Sequence, residues 1–372
     1  MALIKLGDYI ELVDERNKDE IYSESDVRGI STSKAFIETK ANLNGVNLSG
    51  YKIVRQYEFA YVADTSRRGE KIALAYADEK PCIISSIYTV FKVKDDTKLL
   101  PRYLMMFFNR SEFDRYARFN SWGSARETFS WEDFCDIKLN LPSIDIQRKY
   151  VAIYEGLLKN LKSYESRLYD LKLTCDGTIE KLLKLNKVKL KDYIIRRVEK
   201  NSNFMVSKLI GVGKNGFISP KQGKDETNGH ICYLVKKNDF VFAPPQIHQG
   251  SIDIWNNDET VKCSDAYIVF YVCNPNLLKS YLFAILKTPF FQKWAAYYRE
   301  GVREQLDFEQ LKEYKLPIPD LTIQKDISNL YISYQNNIKR IDELKEIIKT
   351  ICPILIKGSI DEEKKRSLYE FI

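Results

Sequence analysis

Ile4–Ile10 has the sequence IKLGDYI, and Val188–Ile194 has the closely similar sequence VKLKDYI. The two stretches lie 184 positions apart (188 minus 4), about half of the 372-residue chain. A second pair keeps the same order, with EFAY at Glu58–Tyr61 and DFVF at Asp239–Phe242. Self-similarity that keeps its order at nearly the same separation (184 and 181 positions) indicates a chain built as two copies of one unit.

Further matches continue the repeat in order: Ser85–Phe91 with Ser264–Phe270, Pro101–Leu104 with Lys279–Leu282, and Arg126–Phe134 with Arg303–Leu311. The matched segments contain alternating apolar residues, which predict half-buried strands of a shared core. Polar segments between them differ in the two copies, and they are predicted to be surface loops, where recognition residues usually lie. They are Gly29–Lys52 and Thr65–Lys80 in the first copy, and Gly211–Tyr233 and Pro244–Asn257 in the second.

Each copy ends with Leu-Pro, at 141–142 and 316–317, followed by a long amphipathic segment. Apolar residues recur there in steps of three and four, which predicts two helices of about 35 to 40 residues with a heptad seam. Thr178 and Lys345 interrupt the pattern, and Leu344 can take the place of Lys345. The predicted seams are Tyr150, Tyr154, Leu157, Leu161, Tyr164, Leu168, Leu171, Cys175 and Leu182, and Ile327, Tyr331, Tyr334, Ile338, Ile341, Ile348 and Leu355.

A single helix of this length cannot bury its own apolar stripe, so each helix needs a partner. The simplest partner is the other long helix, in an antiparallel coiled coil with an approximate twofold axis. Pro353 is expected to end or kink the second helix. The predicted fold class is α+β, with two tandem mixed α/β domains, each followed by a long helix. The predicted boundaries are 1–142, 143–187, 188–316, 317–358 and a C-terminal tail, 359–372.

The composition sets broad limits on function. Lys and Arg exceed Asp and Glu by 58 to 51, a net charge of +7 that suits a polyanion but also many enzymes. The N-terminus lacks the features of a signal peptide, and no apolar run is long enough to span a membrane, so a cytoplasmic protein is expected. Seven scattered Cys and two His lack the spacing of a zinc site, so reduced thiols and no metal or other cofactor are expected.

Taken together, the ordered motifs resemble the specificity subunits of type I restriction-modification systems. The resemblance covers essentially the whole chain and rests on an ordered set of short motifs, several of them present in both copies. These motifs are Gly29-Ile30, Tyr51–Val54, Glu58–Tyr61, Ile84–Phe91, Pro101–Leu104, Gly123–Arg126, and Leu141-Pro142 with Gln147.

This resemblance implies two target-recognition domains that each contact one half of a split double-stranded DNA site. It also implies that the long helices set the spacing and dock two copies of a methyltransferase subunit, which in turn carry restriction subunits. The helix residues assigned to this partner-binding role are Tyr150, Tyr154, Leu157, Leu161, Tyr164, Leu168, Tyr331, Tyr334, Ile338, Ile341 and Ile348.

Arg126 and Arg303 are equivalent candidates for DNA contact, because a guanidinium binds phosphate or guanine bidentately. The alternative is an internal ion pair, for Arg126 with Glu127 or Asp133 and for Arg303 with Glu304 or Glu309. The remaining candidates lie in the divergent loops, where the alternative is an ordinary loop residue or, for Gln246, His248 and Gln249, a turn stabilised by its own amides. They are Ser31, Thr32, Ser33, Lys34, Arg67, Arg68 and Lys71 in the first copy, and Lys214, Asn215, Lys221, Gln246, His248 and Gln249 in the second.

No Gly-rich cofactor loop or Asn-Pro-Pro-aromatic motif of a DNA methyltransferase occurs, and Asn274-Pro275-Asn276 is the nearest match. The leading hypothesis is therefore a non-catalytic DNA recognition subunit. The alternatives are a methyltransferase or nuclease with unrecognised motifs, a specificity subunit of a methylation-only or type IIB/IIG-like system, and a coiled-coil scaffold that binds no DNA. Because the loops of the two copies differ, two different half-sites are expected.

Overall fold

The computed structural model describes residues 3–65, 71–124, 126–202, 204–219, 232–298 and 304–369. The chain forms two compact units. Unit 1 consists of Met1–Ser163 with Ile341–Ile372, and unit 2 consists of Tyr164–Arg340. Each unit therefore contains one globule and a stretch of both long helices.

Unit 1 contains ten strands among its described residues, together with three short helices and the start of a long one. The strands are β1 (Leu3–Lys5), β2 (Ile10–Val13), β3 (Arg28–Ile30), β4 (Phe36–Glu38), β5 (Lys52–Val54), β6 (Phe59–Tyr61), β7 (Leu74–Tyr76), β8 (Cys82–Ile84), β9 (Thr89–Val93) and β10 (Lys138–Asn140). The helices are α1 (Pro101–Phe108), α2 (Ser111–Phe119), α3 (Trp131–Cys135) and the long helix α4 (Ile144–Leu182).

Unit 2 repeats this order of elements. Its strands are β11 (Val188–Lys189), β12 (Ile194–Arg196), β13 (Gly211–Gly213), β14 (Gly216–Ile218), β15 (Cys232–Val235), β16 (Phe240–Phe242), β17 (Ile252–Ile254), β18 (Val261–Ser264), β19 (Ile268–Val272) and β20 (Lys315–Leu316). Its helices are α5 (Lys279–Leu286), α6 (Pro289–Tyr297), α7 (Phe308–Lys312) and the long helix α8 (Leu321–Tyr369).

The sheets of the two units have the same antiparallel topology. A four-stranded sheet has the order β2-β9-β6-β7 in unit 1 and β12-β19-β16-β17 in unit 2. Phe59 pairs with Phe91 in the first sheet, and Phe240 pairs with Phe270 in the second. Two-stranded sheets accompany each: β1-β10, β3-β4 and β5-β8, and correspondingly β11-β20, β13-β14 and β15-β18. The repeat seen in the sequence is thus a repeat of the fold.

Alternation along the central strands explains how each sheet is covered on both faces. Phe59 and Tyr61 point into the larger core against α1 to α3, while Ala60 between them belongs to a smaller core on the other face. In unit 2, Phe240 and Phe242 lie in the larger core and Val241 in the smaller one. The matched Phe rings stack at 4.9 Å between centroids in unit 1 and 4.7 Å in unit 2.

A buried glutamine joins each globule to its following helix in the same way. The side chain of Gln147 accepts a hydrogen bond from Leu100 N–H (3.0 Å) and donates to the carbonyls of Lys98 (2.9 Å) and Pro142 (2.8 Å). Gln324 makes the equivalent three contacts in unit 2, to Leu278 N–H (2.8 Å) and to the carbonyls of Asn276 (2.7 Å) and Pro319 (2.8 Å). Both glutamines are fully buried, so these bonds satisfy groups that have no access to water.

Within each unit the two long helices run antiparallel, and the residues of the predicted seam are buried or half-buried. In unit 1, Ser143 bonds to Glu363 and Lys149 to Glu362, while Tyr154 packs in the same core as Cys352. In unit 2, Ile179 and Leu182 of α4 share a core with Ile327 of α8. At each interruption of the heptad pattern a neighbouring residue is buried instead: Ile179 next to Thr178, and Leu344 next to the exposed Lys345.

The second long helix departs from the sequence expectation at its C-terminal end. It continues through Pro353 to Tyr369, and the segment 359–369, predicted to be a tail, is helical. An interior proline costs about 3 kcal/mol or more, because it removes a helical hydrogen bond and its ring clashes with the preceding turn. Burial of Cys352, Leu355 and Ile356 in the core of unit 1 offsets this cost. The first helix ends earlier than predicted, at Leu182 and not at 187.

Candidate nucleic-acid interface

Two loops of each globule carry most of the candidate DNA-contacting residues. The hairpin loop joins β3 to β4 in unit 1 (31–35) and β13 to β14 in unit 2 (214–215). The sheet loop joins β6 to β7 in unit 1 (62–73) and β16 to β17 in unit 2 (243–251). The loops differ in length and sequence between units, whereas the strands that carry them correspond.

Asp114 on α2 connects the two loops of unit 1. Its carboxylate accepts hydrogen bonds from the Lys34 ammonium, at 2.8 Å for each oxygen, and from the Ile72 backbone N–H at 3.4 Å. Lys34 belongs to the hairpin loop and Ile72 to the sheet loop. The two loops are therefore held against the same helix.

Lys34 is one of the predicted DNA contacts, and the structure places its side chain in a buried position. Only 9% of the residue is exposed, and its ammonium is paired with Asp114. Lys34, the fourth residue of this five-residue loop, has φ +61°, in the left-handed region. Its side chain turns inward over α2 from this position. Burial lowers the pKa of the Lys34 ammonium, and the neighbouring Asp114 charge opposes that shift.

The other residues of this hairpin loop lie at the surface. Ser31 and Thr32 are half-buried, and Ser33 is exposed. The hydroxyls of Ser31 and Ser33 are 2.7 Å apart, and the Ser31 hydroxyl also donates to the Ala35 carbonyl at 3.2 Å. These bonds shape the loop and leave Thr32 and Ser33 at its tip.

In the sheet loop of unit 1, Lys71 is exposed, while Arg67 and Arg68 lie outside the described residues. A third segment, 122–129, packs beside this loop. Thr65 N–H donates to the Glu127 carbonyl at 3.1 Å, and Phe129 N–H donates to the Ala63 carbonyl at 2.8 Å. The structure therefore places the segment that contains Arg126 beside the first residues of the sheet loop.

Arg126 is exposed, and the two acidic residues considered as internal partners are engaged elsewhere. Glu127 forms an ion pair with Arg118 at 2.5 Å. Asp133 accepts a hydrogen bond from the Ser130 hydroxyl at 2.8 Å, at the start of α3. This arrangement favours the reading in which the Arg126 guanidinium faces solvent or a ligand.

In unit 2, Lys214 and Asn215 form the exposed tip of the hairpin loop. Gln246 and Gln249 are exposed on the sheet loop, and His248 is half-buried between them. The Gln249 amide nitrogen lies 3.3 Å from His248 Nε2, so part of the predicted polar set organises the turn itself.

Lys221 and Arg303 lie outside the described residues. The neighbouring segment is described from residue 304 onward, and Leu306 N–H donates to the Pro244 carbonyl of the sheet loop at 3.1 Å. This contact corresponds to the bond between Phe129 and Ala63 in unit 1. The sheet loop and the following segment thus meet in the same way in both units.

The sequence did not point to Lys287, which follows α5. Its ammonium donates to the Gly250 carbonyl of the sheet loop at 2.7 Å and lies 3.4 Å from the Lys214 carbonyl of the hairpin loop. Burial lowers the pKa of Lys287, and the charge of Asp253 opposes this shift. The only sequence signal is a single lysine that closes an otherwise apolar helical segment, 281–287.

Two further observations bear on the type of site. Within the part of the chain that the structure describes, no cluster of three or more His, Cys, Asp or Glu has a metal-binding arrangement. Among the same residues, no helix is both long and apolar enough to cross a membrane.

Residues 182–350 match the family model described as the type I restriction modification DNA specificity domain. Among solved structures, the chain is similar to the type I restriction-modification system S subunit from M. genitalium, with a TM-score of 0.60 and 10% identity. That alignment covers 97% of this chain and 95% of the other, and it agrees with the two-unit fold.

A second structure, the HsdS subunit from Thermoanaerobacter tengcongensis, has a TM-score of 0.42 and 14% identity, over 97% of this chain and 96% of the other. No curated protein sequence matches the chain significantly.

Proposed function

We propose that the chain recognises a bipartite, asymmetric double-stranded DNA site, since residues 182–350 match the type I restriction modification DNA specificity domain. The observation that carries this proposal is the pairing of one fold with two sets of loops. Equivalent frameworks present equivalent loops in both units, so each unit has a surface for one half-site. Because the loops differ in length and sequence, the half-sites should differ as well.

We assign base and phosphate contacts to exposed and half-buried polar residues of these loops. Serine, asparagine and glutamine side chains can hydrogen-bond to base edges, and Arg or Lys can pair with phosphates or guanine. The proposed set among the described residues is Ser31, Thr32, Ser33, Lys71 and Arg126 in unit 1, and Lys214, Asn215, Gln246, His248 and Gln249 in unit 2. Arg67, Arg68, Lys221 and Arg303 remain predictions from the sequence.

The chain itself is proposed to be non-catalytic and to direct partner subunits to the site. Two copies of a methyltransferase subunit would dock on the long helices, and restriction subunits would join the full complex. Exposed apolar side chains on these helices support a docking role, because a coiled coil on its own would leave them in water. Examples are Tyr169 (70% exposed), Leu173 (63%) and Ile354 (66%). A cytoplasmic location is consistent with seven free cysteines.

The test is to combine the chain with its cognate methyltransferase subunit and map the methylated positions on a plasmid library. The expected result is a split motif with two different halves separated by unspecified bases. A continuous motif would contradict the proposal. Methylation by the chain alone, with S-adenosylmethionine, would instead favour the enzyme alternative.

We also propose that the paired helices set the length of the unspecified gap. One extra heptad between Ser163 and Tyr164, combined with one between Arg340 and Ile341, preserves the seam register and adds about 10 Å of helix. The gap should then widen by roughly three base pairs, given about 3.4 Å per base pair. Both half-sites should stay the same, and a heptad in only one helix should not produce the wider gap. Altered half-sites with an unchanged gap would show that the helices are not the spacer.

A further inference from the structure

One lysine in unit 2 bridges the two loops that we assign to DNA recognition. Lys287 follows α5, and its ammonium donates to the Gly250 carbonyl (2.7 Å) and lies 3.4 Å from the Lys214 carbonyl. Gly250 ends the turn of the sheet loop, and Lys214 lies at the tip of the hairpin loop. An ammonium has three donors, so one half-buried cation can hold both loops together.

Asp253 on β17 lies near the Lys287 charge and also contacts the hairpin that carries Lys214. Its carboxylate accepts hydrogen bonds from the backbone N–H groups of Ile254 (2.8 Å) and of Phe217, which follows the hairpin loop. A Cβ on Gly216 would lie only 2.8 Å from the Asp253 carboxylate, so the residue that follows the hairpin loop packs directly against that carboxylate. Burial raises the pKa of Asp253, whereas the nearby Lys287 charge lowers it.

In unit 1 the hairpin loop and the sheet loop are also held together by a lysine and an aspartate, but these come from different elements. There the lysine, Lys34, comes from the hairpin loop, and the acid, Asp114, comes from α2. The sheet loop joins through the Ile72 N–H, which donates to Asp114 at 3.4 Å. Since the hairpin loop of unit 2 is shorter, no residue there corresponds to Lys34, and the cation is supplied from the end of α5.

We infer that Lys287 is a positioning residue for DNA recognition in unit 2, and that Lys34 has this role in unit 1. Neither lysine contacts DNA in this account. Each fixes the hairpin loop relative to the sheet loop, so that side chains such as Asn215 and Gln246 can meet neighbouring bases at the same time. This inference rests on the proposed function, because it assumes that these loops contact DNA.

The experiment compares Lys287→Met and Lys34→Met in the full chain, assembled with the cognate methyltransferase subunit. Each variant is profiled on a randomised DNA library, and its affinity is measured at several salt concentrations. Lys287→Met should lower base discrimination in one half-site about tenfold and leave the other half-site unchanged, and Lys34→Met should do the reverse. Lys287→Arg keeps the charge and the donors, so it should restore most of the discrimination.

Salt dependence separates positioning from direct contact. Loss of a phosphate-binding lysine weakens binding to all sequences alike and lowers the salt slope by about one. A positioning lysine should leave that slope unchanged. The control is Lys237→Met, which removes one positive charge from unit 2 at a surface ion pair with Asp258 (2.6 Å). It should not alter base discrimination.

Three outcomes would overturn the inference: equal loss in both half-sites, no change in either, or uniform weakening with a smaller salt slope. If Lys287→Met does not fold, the arginine variant and hydrogen exchange of the loop amides in wild type decide the question. Those amides should then exchange as slowly as the flanking strands, and fast exchange would contradict a fixed loop. A wild-type chain that recognises no split motif would instead refute the proposed function.

Discussion

The two units share their framework and differ in how their recognition loops are held. Phe59 with Phe91 and Phe240 with Phe270 make the same stacked pair at equivalent positions of the central sheet. The loops above these sheets are held by different residues, Lys34 with Asp114 in unit 1 and Lys287 in unit 2. Core positions thus keep their chemistry because they bury large rings, whereas the loop-holding lysine can move from one element to another.

The strongest test of the shared framework is truncation of its central rings. Phe91→Ala and Phe270→Ala should each destabilise their own unit by about 3 to 5 kcal/mol, because both rings are fully buried. Amide hydrogen exchange of β6 and β16 reports the two units separately. Similar losses are expected, and a large loss in one unit with tolerance in the other would show that the cores are not equivalent.

The next largest loss of stability is expected on replacing the glutamine that joins each globule to its helix. Gln147→Leu leaves the half-buried Leu100 N–H without its acceptor and the buried Pro142 carbonyl without its donor, and Gln324→Leu does the same to Leu278 N–H and the Pro319 carbonyl. Each change should cost about 1 to 3 kcal/mol, the usual penalty for a buried unsatisfied group. Thermal unfolding of the two single variants and the double variant measures this. Additive and nearly equal shifts would support the repeat, and a silent variant would count against it.

A smaller loss of stability is expected when a buried tyrosine hydroxyl is removed, and its consequence differs between the two units. The Tyr103 hydroxyl lies 2.7 Å from the Ser359 hydroxyl on α8, whereas the equivalent Tyr281 donates to the Pro317 carbonyl at 2.8 Å. Tyr103→Phe and Tyr281→Phe should each cost about 1 kcal/mol near pH 8. Only the first should weaken the hold of the C-terminal half of α8 on its globule, as measured by hydrogen exchange of that half.

Tyr103 also makes the stability of the protein depend on pH. Burial raises the pKa of Tyr103 to about 12, so the folded protein keeps this proton at a pH where the unfolded chain loses it. Its contribution to stability is therefore complete below about pH 10 and is lost as the pH rises toward 12. Tyr103→Phe removes this contribution, so its deficit relative to wild type should shrink between pH 9 and pH 11. A constant deficit in denaturant titrations would contradict the assignment.

Much of this framework could be predicted from the sequence, because apolar periodicity depends on local residue order. The matched strands at Glu58–Tyr61 and Ser85–Phe91 and the seam of α4 follow from such periods. The helix does not end at Pro353, because burial against the globule overrides the local penalty of an interior proline.

The loops were harder to predict, since side-chain direction there depends on turn geometry and on distant partners. The sequence predicts an exposed lysine at position 34. In the structure its left-handed backbone directs the side chain toward Asp114, which is 80 positions away. Lys287 showed no pattern at all, because its partners, Gly250 and Lys214, are brought to it only by the folded sheet. Residues that hold loops together are therefore visible only once the fold is known.

The most direct measurement is to transfer the loops without the framework. In this chimera the hairpin and sheet loops of unit 1, with the Lys34 and Asp114 positions, are replaced by the loops of unit 2. The replacement includes Lys287 and Asp253 of unit 2. The methylated motif should then change in one half only. That half should become the same as the half-site of unit 2, which converts an asymmetric split site into a symmetric one. A folded, active chimera that still methylates the original asymmetric motif would contradict the central claim that the loops, and not the shared framework, determine the sequence recognised.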